Sequence, residues 1–318
     1  MAYKKIATVL VTGAGGFIGA ELLRQLAVRP DLHVIAIDSN VSGRPSSQRL
    51  RWVNGDLCEV DCRREALAAG VDAIIHLAAV PGGAAEADPT LSQRVNIDAT
   101  LDLLREAARP GHAPRIVFSS TIAVFGDPLL AQGVDDATPL RPRMIYGAHK
   151  AMVEIMLATL SRRGSIDGIA LRLPGIVARP QGPSGLKSAF MSELFHRLRE
   201  ARPFLSPVSR QASFWLMSVK QCAANLVHAL DVDTARVPVE RVLTLPALRV
   251  RMDDLAGAVA RHTGSDPESV EYAPDAALER AFGTHPPLAT PAAEAVGFRH
   301  DGSLDALVEA ALETITRA

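Results

Sequence analysis

The chain has 318 residues, 48% hydrophobic and 22% charged, with a formal net charge of −1. That is enough apolar mass for one large α/β domain with additions, or for two lobes. The near-neutral balance, without any Lys/Arg block, gives no electrostatic basis for binding nucleic acid or an anionic membrane.

The opening segment MAYKKIATVLVTGAGG is superficially like a secretory leader, with two lysines before an apolar run. The run from Ile6 to Val11 is short and meets glycines without a cleavage site, so it reads as a first buried strand. GAELLRQLAVRP then has helical spacing with Leu22, Leu23 and Leu26 inward, and stops at Pro30. HVIAID and RWVNGDL read as strands two and three, RREALAAG as a helix ending at Gly70, and VDAIIHLAA as a fourth strand. LSQRVNIDATLDLLREAARP predicts one long amphipathic helix, RIVFSSTIAVFG a fifth strand with its exit loop, YGAHKAMVEIMLATLSRRG another helix and GIALRLPGIV a sixth strand. Apolar strands alternating with amphipathic helices predict an α/β fold, a Rossmann-type doubly wound parallel sheet covered on both faces.

After residue 178 the pattern breaks at the Pro/Gly-rich ARPQGPSG, and short strands mix with helices to the end. Residues 1–178 are thus expected to form the cofactor-binding unit, and residues 179–318 a smaller mixed α/β substrate lobe that can exchange segments with it. No run is apolar and long enough to span a bilayer. The three cysteines, Cys58, Cys62 and Cys222, show no CxxC or Cys/His spacing. This argues against a disulfide framework or a metal centre and suits a reducing cytoplasm.

VTGAGGFIGAELL sets Gly13, Gly16 and Gly19 between the first strand and the first helix. Such a turn lets backbone N–H groups approach a pyrophosphate at a helix N-terminus, with Phe17 and Ile18 opening that helix. Asp38 ends the second strand, nineteen residues beyond Gly19. A carboxylate there can accept both ribose hydroxyls and repel a 2′-phosphate, which favours NAD, although it can also be a plain strand-end cap. Arg44 nearby argues the other way. Asp56 and Leu57 follow the third strand, where Asp56 can accept from an adenine amino group. Leu77, Ala78 and Ala79 form a small-residue passage beside the cofactor, and His76 reads as structural. Asn96 is either a brace for the active-site loops or a solvated helix residue.

Tyr146, one of only three tyrosines, stands four residues before Lys150, on the same helical face. A phenol titrates near 10, and a neighbouring ammonium favours the phenolate. A phenolate can take the proton of a substrate alcohol as hydride leaves the same carbon. Ser119, Ser120 or Thr121, at the end of the fifth strand, can direct a hydroxyl to the substrate oxygen. A small acid also needs a cation for its carboxylate, for which Arg172, Arg179 and Arg210 are available. Trp215 can wall the substrate pocket or pack the lobe.

Together TGAGGFIG, Asp38, GDL, HLAA, SSTIAVFG and YGAHK resemble the extended short-chain dehydrogenase/reductase superfamily, which includes sugar-nucleotide epimerases and dehydratases. The resemblance gives Thr121, Tyr146 and Lys150 the places of its catalytic Ser/Thr, Tyr and Lys, and implies NAD and a homodimer paired through helices near 92–108 and 146–163. Where sugar-nucleotide members carry a pattern like RxxNxYGP, this chain reads RLPGIVARP, with Gly175 in place of Asn. AEADP, YGAHKAMVE, RRGSIDGIALRLPGIVARP and FWLMSV resemble instead the D-erythronate dehydrogenase group. This implies NAD-dependent oxidation of D-erythronate at carbon 2; charge, run lengths and cysteine spacing give no reason to expect nucleic acid, membrane or metal, and Thr121 stands where a serine is expected.

Overall fold

The computed structural model describes residues 6–108, 111–126, 129, 131–182 and 188–317, so part of the Pro/Gly-rich loop expected after residue 178 lies outside them. Among the described residues the strands are β1 (Thr8–Thr12), β2 (His33–Asp38), β3 (Leu50–Asn54), β4 (Ala73–His76), β5 (Arg115–Thr121), β6 (Asp167–Leu173), β7 (Gly175–Val177), β8 (Phe204–Ser206), β9 (Ser213–Ser218), β10 (Val242–Thr244), β11 (Leu248–Arg251) and β12 (Val270–Tyr272).

Seven of them form a parallel sheet in the order β10-β6-β5-β4-β1-β2-β3. Side chains alternate across a strand, so Val9 and Val11 enter one core and Leu10 the other. Both faces are apolar because helices cover both. Helices Phe17–Leu26 and Val219–Asp231 pack against each other on one side. Helices Val60–Leu67, Thr100–Ala107 and Ile145–Arg162 cover the other. This is the Rossmann-type sheet expected from the continuous apolar strands. The strand order reverses between β1 and β4, which opens a crevice at their carboxyl ends.

Two expected elements are subdivided. The single helix expected over residues 91–110 is a short helix (Pro89–Gln93), a wider π-helical segment (Arg94–Ala99) and an α-helix (Thr100–Ala107). The wide segment contains Asn96 and turns its amide inward. The expected sixth strand divides at Pro174, which has no N–H for the ladder. β6 stays in the large sheet, while β7 joins β9 and β11 in a three-stranded sheet.

Behind that small sheet, Phe190, Leu194, Phe214, Val250, Leu255 and Leu307 form a second core with helices Phe190–Arg199, Met252–Thr263 and Leu304–Arg317. β8 and β12 pair beside it. β10 returns to the large sheet beside β6. No helix among the described residues is long and apolar enough to cross a membrane.

Helix Ile145–Arg162 buries Gly147, Lys150, Ala151, Glu154, Leu157, Ala158 and Ser161, one stripe at three- and four-residue spacing. A Cβ at Gly147 would stand 2.2 Å from the Ala123 carbonyl oxygen. Only glycine lets the start of this helix close onto the turn after β5, which brings Tyr146 beside the end of that strand.

Candidate active site

A cavity of about 390 Å³ lies at the carboxyl ends of β1, β4 and β5. Of the residues singled out from the sequence, Gly13, Gly16, Phe17, Ile18, Gly19, Leu77, Ala79, Ser120, Thr121, Tyr146, Arg179 and Trp215 line it together. Asp38, Asp56, Leu57, Ala78, Asn96 and Lys150 lie outside its lining.

Gly13 has φ +66°, and a Cβ there would stand 2.7 Å from the Ala78 amide nitrogen. The turn and the chain after β4 therefore touch backbone to backbone, and Ala78 N–H donates to Thr12 Oγ1 (3.2 Å). No side chain caps the first helix at Gly16, so the N–H groups of its first turn are left to a ligand. Asp38 Oδ2 accepts from Gly15 N–H (2.8 Å), which holds the carboxylate against the glycine turn. These features fit a dinucleotide.

Asp56 is exposed and its Oδ1 accepts from Cys58 N–H (2.9 Å), while Leu57 is core. Asn96 is buried; its Oδ1 accepts from Val80 N–H (2.8 Å) and its Nδ2 donates to Val80 O (3.0 Å), so it braces the loop after β4. His76 is held by Thr12 and Thr100 hydroxyls at 2.7 and 2.9 Å, and burial pushes it down to about 3, a neutral core histidine.

Arg44 is closer to this end than its sequence position suggests: Nη2 donates to Gly15 O (2.8 Å), and its guanidinium carbon lies 5.1 Å from the centre of the Trp52 ring. If Asp38 repels a 2′-phosphate, as its strand-end position leads one to expect, Asp38→Ala removes that repulsion and leaves the Arg44 cation in place. The expected result is a fall of at least about tenfold in the NAD-over-NADP ratio of kcat/KM. An unchanged ratio would refute this role for Asp38.

At the reacting end, Thr121 Oγ1 accepts from Ala123 N–H (3.1 Å), and its hydroxyl proton has no partner among the described residues. Ser120 differs. Its Oγ donates to Glu154 Oε1 (2.5 Å), and Glu154 is gripped at both oxygens by Arg172, at 3.0 and 2.8 Å, all of it buried. Thr121 is left free to donate, while Ser120 offers only lone pairs.

Lys150 is buried, and its Nζ donates to Ser119 O (2.7 Å) and lies 5.7 Å from the centre of the Tyr146 ring. Burial pushes its ammonium down to about 7, with Glu154 opposing. Burial pushes the Tyr146 phenol up to about 12, and the opposing pull comes from the Arg179 guanidinium. The sequence reading assigned that pull to Lys150. In the fold Lys150 donates to a backbone carbonyl beside the Tyr146 ring, and Arg179, beyond β7, is a further cation that opposes burial of the phenol.

The three candidate arginines separate cleanly. Arg172 is consumed by Glu154. Arg210 is exposed, with its guanidinium carbon 4.5 Å from the centre of the Tyr272 ring, off the cavity. Arg179 lines the cavity. Its backbone is pinned by Ser192 Oγ (3.0 Å) and His196 Nε2 (2.7 Å), and its guanidinium makes no hydrogen bond or ion pair among the described residues. Trp215 lines the cavity and packs with Val124, Phe125, Val134 and Ala151.

Met191, Phe282 and His285 also line the cavity and were not singled out from the sequence. Their sequence signal is weak. His285 is a lone histidine in the loop GTHPP, and nothing local ties it to Trp215 seventy residues earlier.

Residues 9–240 match the NAD dependent epimerase/dehydratase family. The chain is 35% identical over 324 residues to the D-erythronate dehydrogenase of Cupriavidus necator, covering 96% of this chain and 98% of that one. It is 29% identical over 311 residues to the D-erythronate dehydrogenase of Haemophilus influenzae, with coverage of 96% and 98%. Among solved structures, the nucleoside-diphosphate-sugar epimerase from Agrobacterium tumefaciens superposes with a TM-score of 0.88 at 27% identity, covering 98% of this chain and 95% of that one. With its glycine turn, its Asp38 and its parallel sheet, the chain belongs to the NAD-dependent epimerase/dehydratase family of the extended short-chain dehydrogenase/reductase superfamily, and its cofactor is NAD.

Proposed function

We propose that this protein is a dehydrogenase that oxidises D-erythronate at carbon 2 to 2-dehydro-D-erythronate, reducing NAD to NADH with release of a proton. The observation that carries the reading is Arg179, a guanidinium with no ion pair among the described residues, in the wall of the cavity that Tyr146 and Thr121 also line. A carboxylate matches its fork. The full-length similarity to two proteins named D-erythronate dehydrogenase supports the choice of acid.

In this reading Arg179 holds the carboxylate and thereby sets carbon 2 beside Tyr146. Thr121 donates a hydrogen bond to the carbon 2 oxygen and orients it. Tyr146, as phenolate, takes the hydroxyl proton. Asp38 holds the adenosine ribose, the N-terminus of helix Phe17–Leu26 takes the pyrophosphate, and Lys150 and Asn96 hold the reacting end in shape. The bound nicotinamide supplies a hydride acceptor and, when oxidised, a positive charge that favours the phenolate.

The similarity to a nucleoside-diphosphate-sugar epimerase favours a second reading, internal turnover of NAD on a nucleotide sugar. Gly175, which puts no amide side chain into the cavity wall, argues against it. Purified protein with NAD and a panel of D-erythronate, L-threonate, D-glycerate and UDP-galactose separates the two. NADH formed best with D-erythronate is the expected result. No NADH from any acid, with conversion of the nucleotide sugar, would establish the second reading.

We also propose a homodimer. Met152 and Ile155 are exposed large apolar side chains on helix Ile145–Arg162, and Leu91, on the neighbouring helix Pro89–Gln93, is a third. Pairing through this face removes them from water. Light scattering should give about twice the 33.9 kDa chain mass, and a mass of one chain would refute the pairing.

A further inference from the structure

His285 lies outside the machinery described above, and its surroundings fix both its position and its protonation. The loop that carries it is stapled to β9. His285 N–H donates to Ser213 O (3.1 Å), and His285 O accepts from Ser213 Oγ (2.8 Å) and from Arg249 Nε (2.8 Å). One residue on, Pro286 O accepts from Trp215 Nε1 (2.7 Å). The imidazole meets the Trp215 ring nearly edge to face, with centres 4.7 Å apart and planes at 75°.

Its Nδ1 lies 3.0 Å from Phe282 O. A carbonyl oxygen can only accept, so Nδ1 carries the hydrogen. Burial pushes the imidazole down to about 4, which leaves it neutral at pH 7. A neutral ring with hydrogen on Nδ1 has a bare lone pair on Nε2. That nitrogen has no protein partner among the described residues, and the ring lines the cavity that also holds Tyr146, Thr121 and Arg179.

The hydroxyls of Ser119, Ser120 and Ser192 in the wall keep lone pairs but are buried and held by protein partners, whereas the imidazole is only half-buried. Ser119 Oγ donates to His76 O, Ser120 Oγ to Glu154, and Ser192 Oγ accepts from the Arg179 amide. A sugar acid whose carboxylate and carbon 2 hydroxyl are already bound still brings hydroxyl donors at carbons 3 and 4, and these need acceptors.

We infer that His285 is a substrate-specificity residue, whose Nε2 accepts a hydrogen bond from a hydroxyl beyond carbon 2 of the polyhydroxy acid. The inference rests on the dehydrogenase reading and deepens it. It makes the enzyme select for a hydroxylated tail rather than for any 2-hydroxy acid, because an analogue without that hydroxyl leaves the nitrogen dry and unpaired.

Two conservative variants separate this role from a merely structural one. In His285→Asn the side-chain amide can replace Nδ1–H towards Phe282 O but puts nothing where Nε2 was. In His285→Gln a carbonyl oxygen reaches the Nε2 position. Steady-state NADH formation with D-erythronate is measured for both variants and the wild type, together with their melting temperatures. The expected result is a rise of about 10- to 100-fold in KM for His285→Asn, with kcat within about threefold and an unchanged melting temperature. His285→Gln should recover most of that KM. An Asn variant with wild-type KM, a loss confined to kcat, or a Gln variant as impaired as Asn would overturn the inference. Failure of the dehydrogenase reading is visible separately and earlier, as a wild-type enzyme that makes no NADH from D-erythronate, and it takes this inference with it.

Discussion

Replacing Tyr146 by phenylalanine is expected to lower kcat for NADH formation by about 10³-fold while leaving NAD affinity within about threefold of wild type. A positioned general base contributes typically about 10²- to 10⁴-fold. The substitution removes one oxygen and keeps the ring beside Lys150, so the glycine turn, Asp38 and the buried Ser120–Glu154–Arg172 network stay as they are. The pH profile adds a second readout. Burial holds the phenol up at about 12, so little phenolate exists near neutrality, and the wild-type rate of alcohol oxidation should climb with pH. The residual rate of the phenylalanine variant should lose that climb. Steady-state assays across pH and a calorimetric NAD titration check both parts. A variant keeping more than about a tenth of wild-type kcat would remove Tyr146 from the mechanism.

Arg179→Leu is expected to cost about 10²-fold or more in kcat/KM for D-erythronate. Removing one partner of an enclosed charge pair costs about 2–5 kcal/mol, because the carboxylate is left without a counter-charge. The same change should move the ascending limb of the pH profile upward, since Arg179 supplies the pull that opposes burial of the phenol. Arg179→Lys should fall between wild type and leucine, because it restores the charge without the two-pronged geometry. Arg210→Leu is the control. That residue is exposed and off the cavity, so its loss should stay within about twofold. If Arg210→Leu proved as damaging as Arg179→Leu, or Arg179→Leu left KM unchanged, Arg179 would not be the carboxylate anchor.

Much of the fold is legible in the sequence. Continuous apolar strands such as VLV and AII are possible only where both faces of a sheet are covered, and the helices between them carry an apolar stripe at helical spacing. The errors fall where a local pattern has no access to a distant partner. The stretch from Leu91 to Ala107 reads as one regular helix but contains a wider π-helical turn, in which Asn96, left open between brace and solvated residue, holds Val80. The sixth strand looked continuous through Pro174, but the chain changes sheets there.

The amino-acid order by itself determined the cofactor end and the family. A glycine turn, a strand-end carboxylate and a Tyr–Lys pair depend on spacings of a few residues within one strand–helix unit, and such spacings survive in one dimension. The substrate end was decided by tertiary structure alone. Arg172, Arg179 and Arg210 are equivalent as letters. Only the fold commits the first to Glu154, leaves the third in solvent and sets the second in the cavity wall, without an ion pair among the described residues. His285 has no local signature, because its meaning comes from Trp215 and Phe282 across a loop and from the burial that keeps its ring neutral. Charge, tautomer and accessibility are set by neighbours distant in sequence, through desolvation and hydrogen bonding that exist only once the chain has closed around them.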